Sequence, residues 1–259
     1  MKNYLHLLTV SFCVLMLSAC TMTPRQNAIV QWKKNQQMIL VLSSDWNSNQ
    51  GVLLQFEYKH SRWIHIGQSF NVSLGKNGAA WGIGLHPYVS QGIVKTEGDM
   101  RSPTGIFKIG SSFGYAKNVD RSYPYQALTK DDYCIDNSLS PYYNQIVNHQ
   151  KVLFSLPQDS TEPMRRDIHY NGDQLYKLGF VLNYNPNNIP NAGSCIFVHL
   201  RKDRYATTAG CTSMDEVHMR ALLSWLNSER NPVFVLLPLE AYEQKHKEWN
   251  LPNIKWEFK

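Results

Sequence analysis

Short β-rich runs separated by turns make up most of this 259-residue chain, and only one stretch shows strong helical periodicity. In one run Leu54, Phe56 and Tyr58 alternate with polar residues, which is the pattern of a strand with a single buried face. Polar turns separate the first three runs, which favours a β-meander. The runs lie at 38–46, 51–60, 63–67, 105–109, 180–184, 194–200 and 233–237. The sequence therefore predicts a mainly β fold with α+β character.

The periodic stretch predicts one helix, which begins at Met214 and ends near Asn227. Its apolar residues recur at the spacing that forms one face of a helix. Ser213 and Glu216 stand three residues apart ahead of this face, and this is the capping-box pattern of a helix N-terminus. We therefore expect Cys211 to lie just ahead of the helix.

A histidine and a cysteine are close together in sequence around a short loop. His199 lies near the end of the run 194–200, and Cys211 precedes the predicted helix. A helix N-terminus and a neighbouring imidazole each favour a thiolate, so we expect Cys211 to be an ionised nucleophile at neutral pH. Small residues at 209–210 would let the N–H groups of Gly210 and Cys211 form an oxyanion hole. The alternative is a core cysteine and a structural histidine.

The first residues have the layout of a secretory signal peptide. Lys2 is followed by an apolar stretch at 7–17, which is too short to span a membrane. The letters L-S-A-C at 17–20 resemble a bacterial lipobox, which predicts a lipoprotein signal peptide at 1–19. An ordinary signal peptide cut elsewhere, or an uncleaved anchor, is the alternative.

A lipobox makes its cysteine the first residue of the mature protein and the point of lipid attachment. Cys20 would then anchor the chain to a membrane, and the polar residues 20–37 would form a tether. Thr21 stands where an aspartate would resemble an inner-membrane retention signal. We therefore expect a lipoprotein of the cell envelope, which in a host with an outer membrane faces the periplasm from that membrane.

The mature chain is modestly basic. Removal of residues 1–19 takes away Lys2 and leaves 25 basic against 20 acidic residues, a net charge of +5 (26 − 1 − 20). An anionic envelope polymer would suit this charge. The cations are scattered rather than interleaved with aromatic residues on one element, which argues against a nucleic-acid partner.

Two cysteines remain once the other three have a role. Cys13 belongs to the signal peptide, Cys20 to the lipid and Cys211 to the chemistry, which leaves Cys134 and Cys195. A disulfide between these two is the economical hypothesis in an oxidising compartment, and two separate buried thiols are the alternative. The sequence contains no coherent metal site, and we expect no cofactor.

Two separate stretches resemble the L,D-transpeptidases of bacterial cell walls, with their YkuD-type catalytic domain. One is His199 followed by T-A-G-C at 208–211, and the other is E-G-D-M-R-S-P-T-G-I-F at 97–107, which is similar to the family's T-P-x-G-x-F region. The second stretch also has a plain interpretation as a turn that leads into a strand. The commoner family motif is S-H-G-C-x-R, but Ala209 replaces its histidine and Ser213 its arginine. The roles of those two residues are therefore not carried over.

The resemblance implies a β-sandwich with a helix after the catalytic cysteine, a catalytic domain at 38–240 and a C-terminal tail at 241–259. It also implies that Cys211 attacks the bond between a diamino acid and the terminal D-alanine of a peptidoglycan stem peptide, with His199 as base and then acid. A second stem peptide or water would resolve the thioester. The alternatives are a carboxypeptidase or hydrolase of peptidoglycan or of a wall-linked protein, and a non-catalytic wall-binding lipoprotein.

Five further residues are candidates for substrate binding. Arg165 and Arg166 would suit a stem-peptide carboxylate, and a solvated polar loop is the alternative. His169 precedes a predicted strand, Tyr184 lies shortly before the catalytic strand, and Thr208 begins the cysteine motif.

Overall fold

The computed structural model of the protein describes residues 30–89, 91–117, 123–152, 160 and 162–254. The predicted signal peptide, Cys20 and the first part of the predicted tether lie outside these residues. In chain order the strands are β1 (Gln37–Ser43), β2 (Gln50–Lys59), β3 (Arg62–Ser73), β4 (Ala79–Trp81), β5 (Ser102–Gly114), β6 (Tyr125–Ala127), β7 (Asp132–Cys134), β8 (Ile146–Asn148), β9 (Glu162–Pro163), β10 (Leu178–Asn183), β11 (Phe197–Leu200), β12 (Thr212–Met214) and β13 (Val233–Pro238). The α-helices are α1 (Arg166–His169), α2 (Glu216–Trp225) and α3 (Leu239–Lys245), and Ser228–Arg230 forms a 3-10 turn.

Each predicted β-rich run contains a strand, and the meander of β1, β2 and β3 is confirmed. The third strand is longer than predicted because its second half, after Gly67, pairs with the beginning of β2. An irregularity of register between Leu53 and Gln55 accommodates this pairing. The protein is therefore mostly β, as the sequence predicts.

The main sheet is mixed and turns back on itself. Its strands follow the order β10-β11-β12-β3-β2-β1-β13-β5-β4, and β5 also pairs with β10. Because β10, at one end of this path, also pairs with β5 near the other end, the sheet closes around a central core. Ile39, Phe107, Phe180 and Phe234 are fully buried in that core, and Leu222 of α2 packs against them. Each such side chain contributes about 1.5–3 kcal/mol by burial.

A second apolar cluster covers the other face of β1 and β13. Met38, Leu40 and Val235 point to this side and pack with Trp249 and Leu251. The segment expected to be a tail from residue 241 therefore packs on the domain as far as residue 254, because its aromatic and aliphatic residues cover exposed sheet. No helix in the described ranges is long and apolar enough to cross a membrane.

The N-terminal end of the described chain packs against the same C-terminal segment. The Trp32 indole N–H donates to the Trp249 carbonyl oxygen at 2.9 Å, and the Trp32 and Trp63 rings meet edge to face. The end of the predicted tether at 20–37 is thus part of the folded domain from about residue 30.

A small second sheet has the order β8-β7-β9. A disulfide joins Cys134 of β7 to Cys195, which lies just before β11. The bond connects the small sheet to the segment that carries His199. Of the two alternatives for these cysteines, a disulfide or two separate thiols, the structure contains the disulfide.

Candidate active site

His199 and Cys211 line the same cleft, which has a volume of about 530 Å³. The strands that position them are parallel neighbours, with His199 of β11 opposite Ser213 of β12. Phe197 lies two residues before His199, so both side chains point to the same side of the strand. The Phe197 backbone N–H donates to the Cys211 Sγ at 3.3 Å, which holds the thiol against the strand that carries His199.

The helix does not begin where the sequence predicts. Residues 212–214 form β12, α2 begins only at Glu216, and its N-cap residue Asp215 makes no side-chain capping bond. The expected capping box of Ser213 is wrong because this segment is buried and pairs with β11 and β3 instead. The positive end of the helix is therefore separated from Cys211 by a strand.

Burial controls the ionisation of the cysteine. The Cys211 thiol donates to the Cys195 carbonyl oxygen at 3.5 Å, and its residue is 8% exposed. Burial raises the pKa of Cys211 to about 12, while the Phe197 N–H and the cation of Lys95 act in the opposite direction. The expectation of a thiolate at neutral pH is therefore wrong for the resting protein, and the thiol needs a base.

His199 has the properties of such a base. Its Nδ1 lies 2.7 Å from the Leu200 carbonyl oxygen, which can only accept, so Nδ1 carries the proton and Nε2 the lone pair. The Tyr176 ring lies edge-on against the imidazole at 5.1 Å. Burial lowers the pKa of His199 to about 4, which keeps the ring neutral at pH 7. The described residues include no hydrogen bond between this imidazole and the thiol, so the proton transfer requires the two groups to approach when substrate binds.

Acidification should destabilise the fold between pH 6.5 and pH 4. Burial lowers the pKa values of both His86 and His199 to about 4, whereas each returns to about 6.5 on unfolding. The unfolded chain binds more protons in this window, so the free energy of unfolding rises with pH, by on the order of 1–3 kcal/mol per histidine. Urea titrations at several pH values measure this slope.

His86 provides a separate readout because it lies outside the cleft. Its Nδ1 accepts the Ile106 N–H at 3.1 Å, and its Nε2 is buried without a partner among the described residues. His86→Gln should reduce the pH slope relative to the wild type. An unchanged slope in this variant would contradict the assignment.

The loop before the cysteine is held by hydroxyl groups. The Thr208 Oγ1 donates to the Cys211 carbonyl oxygen at 2.6 Å, and the Ser102 Oγ donates to the same oxygen at 3.0 Å. The Gly210 N–H donates to the Thr208 Oγ1 at 3.1 Å. Of the two amides expected to form an oxyanion hole, Gly210 is therefore occupied, and the Cys211 N–H has no partner among the described residues.

Thr208→Val should lower the rate of acylation of Cys211 and destabilise the domain by about 1–3 kcal/mol, because it removes one hydroxyl that serves two buried backbone groups. Thr208→Ser keeps the hydroxyl and should stay close to the wild type. Acylation followed by intact-protein mass spectrometry, together with urea unfolding, measures both effects. Equal behaviour of the two variants would exclude this role of the hydroxyl.

Comparison with known protein families agrees with this geometry. Residues 29–235 match the model of the L,D-transpeptidase catalytic domain. The chain belongs to this family. Neither the curated proteins nor the solved structures contain a match.

Two of the five predicted substrate-binding residues line the L,D-transpeptidase cleft, namely Arg166 and Thr208. The Arg166 guanidinium is bound by Asp173 at 2.9 Å and by Glu162 at 3.3 Å. Two carboxylates therefore hold this cation at the wall of the cleft. The Thr208 hydroxyl holds the loop before the cysteine by its hydrogen bonds to Cys211 and Gly210.

The other three predicted binding residues are absent from the residues that line the cleft. Arg165 pairs with Asp167, and the His169 Nε2 lies 2.9 Å from the Lys130 carbonyl oxygen. Tyr184 is buried, and its hydroxyl donates to the backbone of the loop before β11. These three side chains therefore bind other parts of the protein rather than the cleft.

The cleft also contains charged residues that the sequence interpretation missed. Lys95, Glu97 and Glu162 are among the residues that line it. Glu97 accepts hydrogen bonds from Tyr143 and Ser194, which fix the beginning of the catalytic segment. The available signal is the stretch at 97–107, whose acidic residues also fit a turn that leads into a strand.

Proposed function

We propose that the protein is a cysteine-dependent L,D-transpeptidase that acts on peptidoglycan stem peptides through a thioester. The observation that carries this proposal is that His199 on β11 and Cys211, directly before the parallel neighbour β12, line one cleft. Family membership supports the general activity. The neutral imidazole supplies the base that the buried thiol needs.

In the first half-reaction the His199 Nε2 takes the thiol proton, and the Cys211 Sγ attacks the carbonyl carbon between the diamino acid and D-alanine. The Cys211 N–H donates to the oxygen that becomes negative. When the C–N bond breaks, the imidazolium returns its proton to the leaving amine. D-alanine departs, and the acyl group remains on sulfur as a thioester.

In the second half-reaction the side-chain amine of another stem peptide attacks the thioester. His199 takes a proton from the attacking amine, the C–S bond breaks, and the thiolate is reprotonated. A new amide joins the two peptides. Water in place of the amine would give a carboxypeptidase or hydrolase, with loss of D-alanine but no joined product.

The charges on the cleft walls support a stem peptide as the ligand. The residues that line the cleft include the cations of Lys95 and Arg166 and the carboxylates of Glu97 and Glu162. A stem peptide presents both carboxylates and ammonium groups, and such a ligand requires both signs of charge.

Mass spectrometry of muropeptides tests this proposal. The purified protein is incubated with tetrapeptide-containing muropeptides, with and without an amine acceptor. Free D-alanine together with a joined or exchanged product would support transpeptidation, and D-alanine without a joined product would support a carboxypeptidase. A wild-type protein that binds muropeptides without changing them would favour the non-catalytic wall-binding alternative.

The proposal includes a lipid anchor on Cys20 and a position at the inner face of the outer membrane. The lipobox pattern at 17–20 supports the anchor. Cys20→Ser should move the protein from the membrane fraction to the soluble fraction and abolish labelling by a clickable fatty acid. Equal labelling of variant and wild type would overturn the anchor.

A further inference from the structure

The ammonium group of Lys95 lies beside the nucleophile loop. The Lys95 side chain is only 3% exposed, yet the residue lines the catalytic cleft. A Cβ atom added to Gly210 would lie 3.5 Å from the Lys95 Nζ. A buried cation from a distant part of the sequence therefore lies beside the residue directly before Cys211.

The hydrogen bonds of Lys95 leave one donor for a ligand. Its Nζ donates to the Asp99 Oδ1 at 2.6 Å and, more weakly, to the Thr96 carbonyl oxygen at 3.4 Å. An ammonium group has three N–H donors, so one has no partner among the described residues. The residue's place in the lining of the cleft makes this donor available to a bound substrate.

Asp99 fixes the position of the ammonium group. Its Oδ1 also accepts the Arg101 N–H at 2.9 Å, and its Oδ2 accepts the Thr96 N–H at 2.9 Å. The carboxylate is therefore held by backbone on both oxygens, and Lys95 is held by the carboxylate. Such preorganisation allows a donor to stabilise developing charge without reorganising during the reaction.

The backbone of the nucleophile loop supplies too few donors. The Gly210 N–H is bound by the Thr208 Oγ1, which leaves the Cys211 N–H alone of the expected pair. A tetrahedral intermediate is generally stabilised by two or more donors. We propose that the Lys95 ammonium donates the second hydrogen bond to the substrate oxygen that becomes negative when Cys211 attacks.

This inference rests on the proposed acyl transfer. When the Sγ–C bond forms, the π electron pair of the carbonyl moves to oxygen, and both Lys95 and the Cys211 N–H keep their protons while they bind it. The pair returns to re-form the carbonyl as the amine leaves, so Lys95 is unchanged at the end. Lys95 is then a catalytic residue that acts in both half-reactions.

The main test compares Lys95→Met with the wild type in D-alanine release from tetrapeptide muropeptides. We expect kcat to fall by about 10²-fold or more while KM changes by less than about threefold, since the donor acts on the intermediate. Lys95→Arg keeps the charge and should recover part of the rate. Lys76→Met removes a lysine from a neighbouring exposed loop and should behave as the wild type.

Alkylation of Cys211 by iodoacetamide separates this role from activation of the thiol, because alkylation forms no oxyanion. The cation of Lys95 lowers the pKa of the thiol only as a minor contribution, so we expect Lys95→Met to slow alkylation by no more than about threefold, far less than kcat. A parallel loss of alkylation and kcat would overturn the proposal and make Lys95 an activator of the thiol. A higher KM with unchanged kcat would also overturn it, because Lys95 would then bind a substrate carboxylate.

Acetylation by p-nitrophenyl acetate keeps the inference testable if the natural substrate differs. Its acyl transfer to Cys211 passes through an oxyanion and releases nitrophenolate, and intact mass shows the acetyl group. A wild type that is acetylated but releases no D-alanine would refute the proposed function alone. Equal acetylation rates of the wild type and Lys95→Met would refute the role of Lys95. If Lys95→Met does not fold, as judged by its melting temperature, Lys95→Gln takes its place with the same expected directions.

Discussion

Cys211→Ala should lose acyl-enzyme formation and D-alanine release by about 10⁴-fold or more, because no other group in the cleft can form the thioester. The variant should still fold, since the side chain removed is small and its neighbours Phe197 and Tyr176 remain packed. Incubation with tetrapeptide muropeptides, followed by intact-protein mass spectrometry and D-alanine measurement, checks the result. Circular dichroism checks that the fold is retained.

His199→Gln is the matched variant for the base. Glutamine fills a similar volume but cannot take the thiol proton, so it should lose activity to a comparable extent. The two losses should not add in the double variant, because the residues act as a unit. A Cys211→Ala protein that kept more than about one hundredth of the activity would contradict the assigned nucleophile.

Loss of the disulfide should lower the free energy of unfolding by about 2–5 kcal/mol. Cys134 and Cys195 are separated by 61 residues, so the bond restricts a long loop of the unfolded chain. The variant Cys134→Ala/Cys195→Ala measured by urea unfolding gives this value. Its activity should also fall, because the bond holds the small sheet that carries Glu162 to the segment before His199.

Reduction of the wild type provides the control for that variant. The reduced protein should unfold at a urea concentration close to that of the double variant, since both lack the bond. Addition of the reductant to the double variant should have no effect on its stability. An oxidised wild type with the same urea midpoint as the double variant would contradict a stabilising role of the disulfide.

The second strand of the meander was predictable because apolar and polar side chains alternate along part of it. Leu54 and Phe56 need only the two-residue period to indicate a buried face. The order of the sheet was not predictable in this way. The pairing of Met38 with Val233 joins opposite ends of the chain, and nothing local in either strand encodes it.

The position of His199 and Cys211 in one cleft was predictable because the two residues are near each other in sequence. The structure around Cys211 was less predictable. The capping pattern at Ser213 is a valid local signal, but the pairing of residues 212–214 with β11 outweighs it. Lys95 carried no signal of its own, because only the closed sheet brings it to Gly210.

The central position of β13 has a consequence for the order of events in folding. β13 lies between β1 and β5, so the last strand of the main sheet to be synthesised completes its middle. β1 cannot form hydrogen bonds along both of its edges until nearly the whole domain has emerged. Long-range pairing of this kind is slow. The early meander must therefore persist with an open edge during synthesis, which is a period of exposure to aggregation. A chain that ends before residue 233 should not reach the native state.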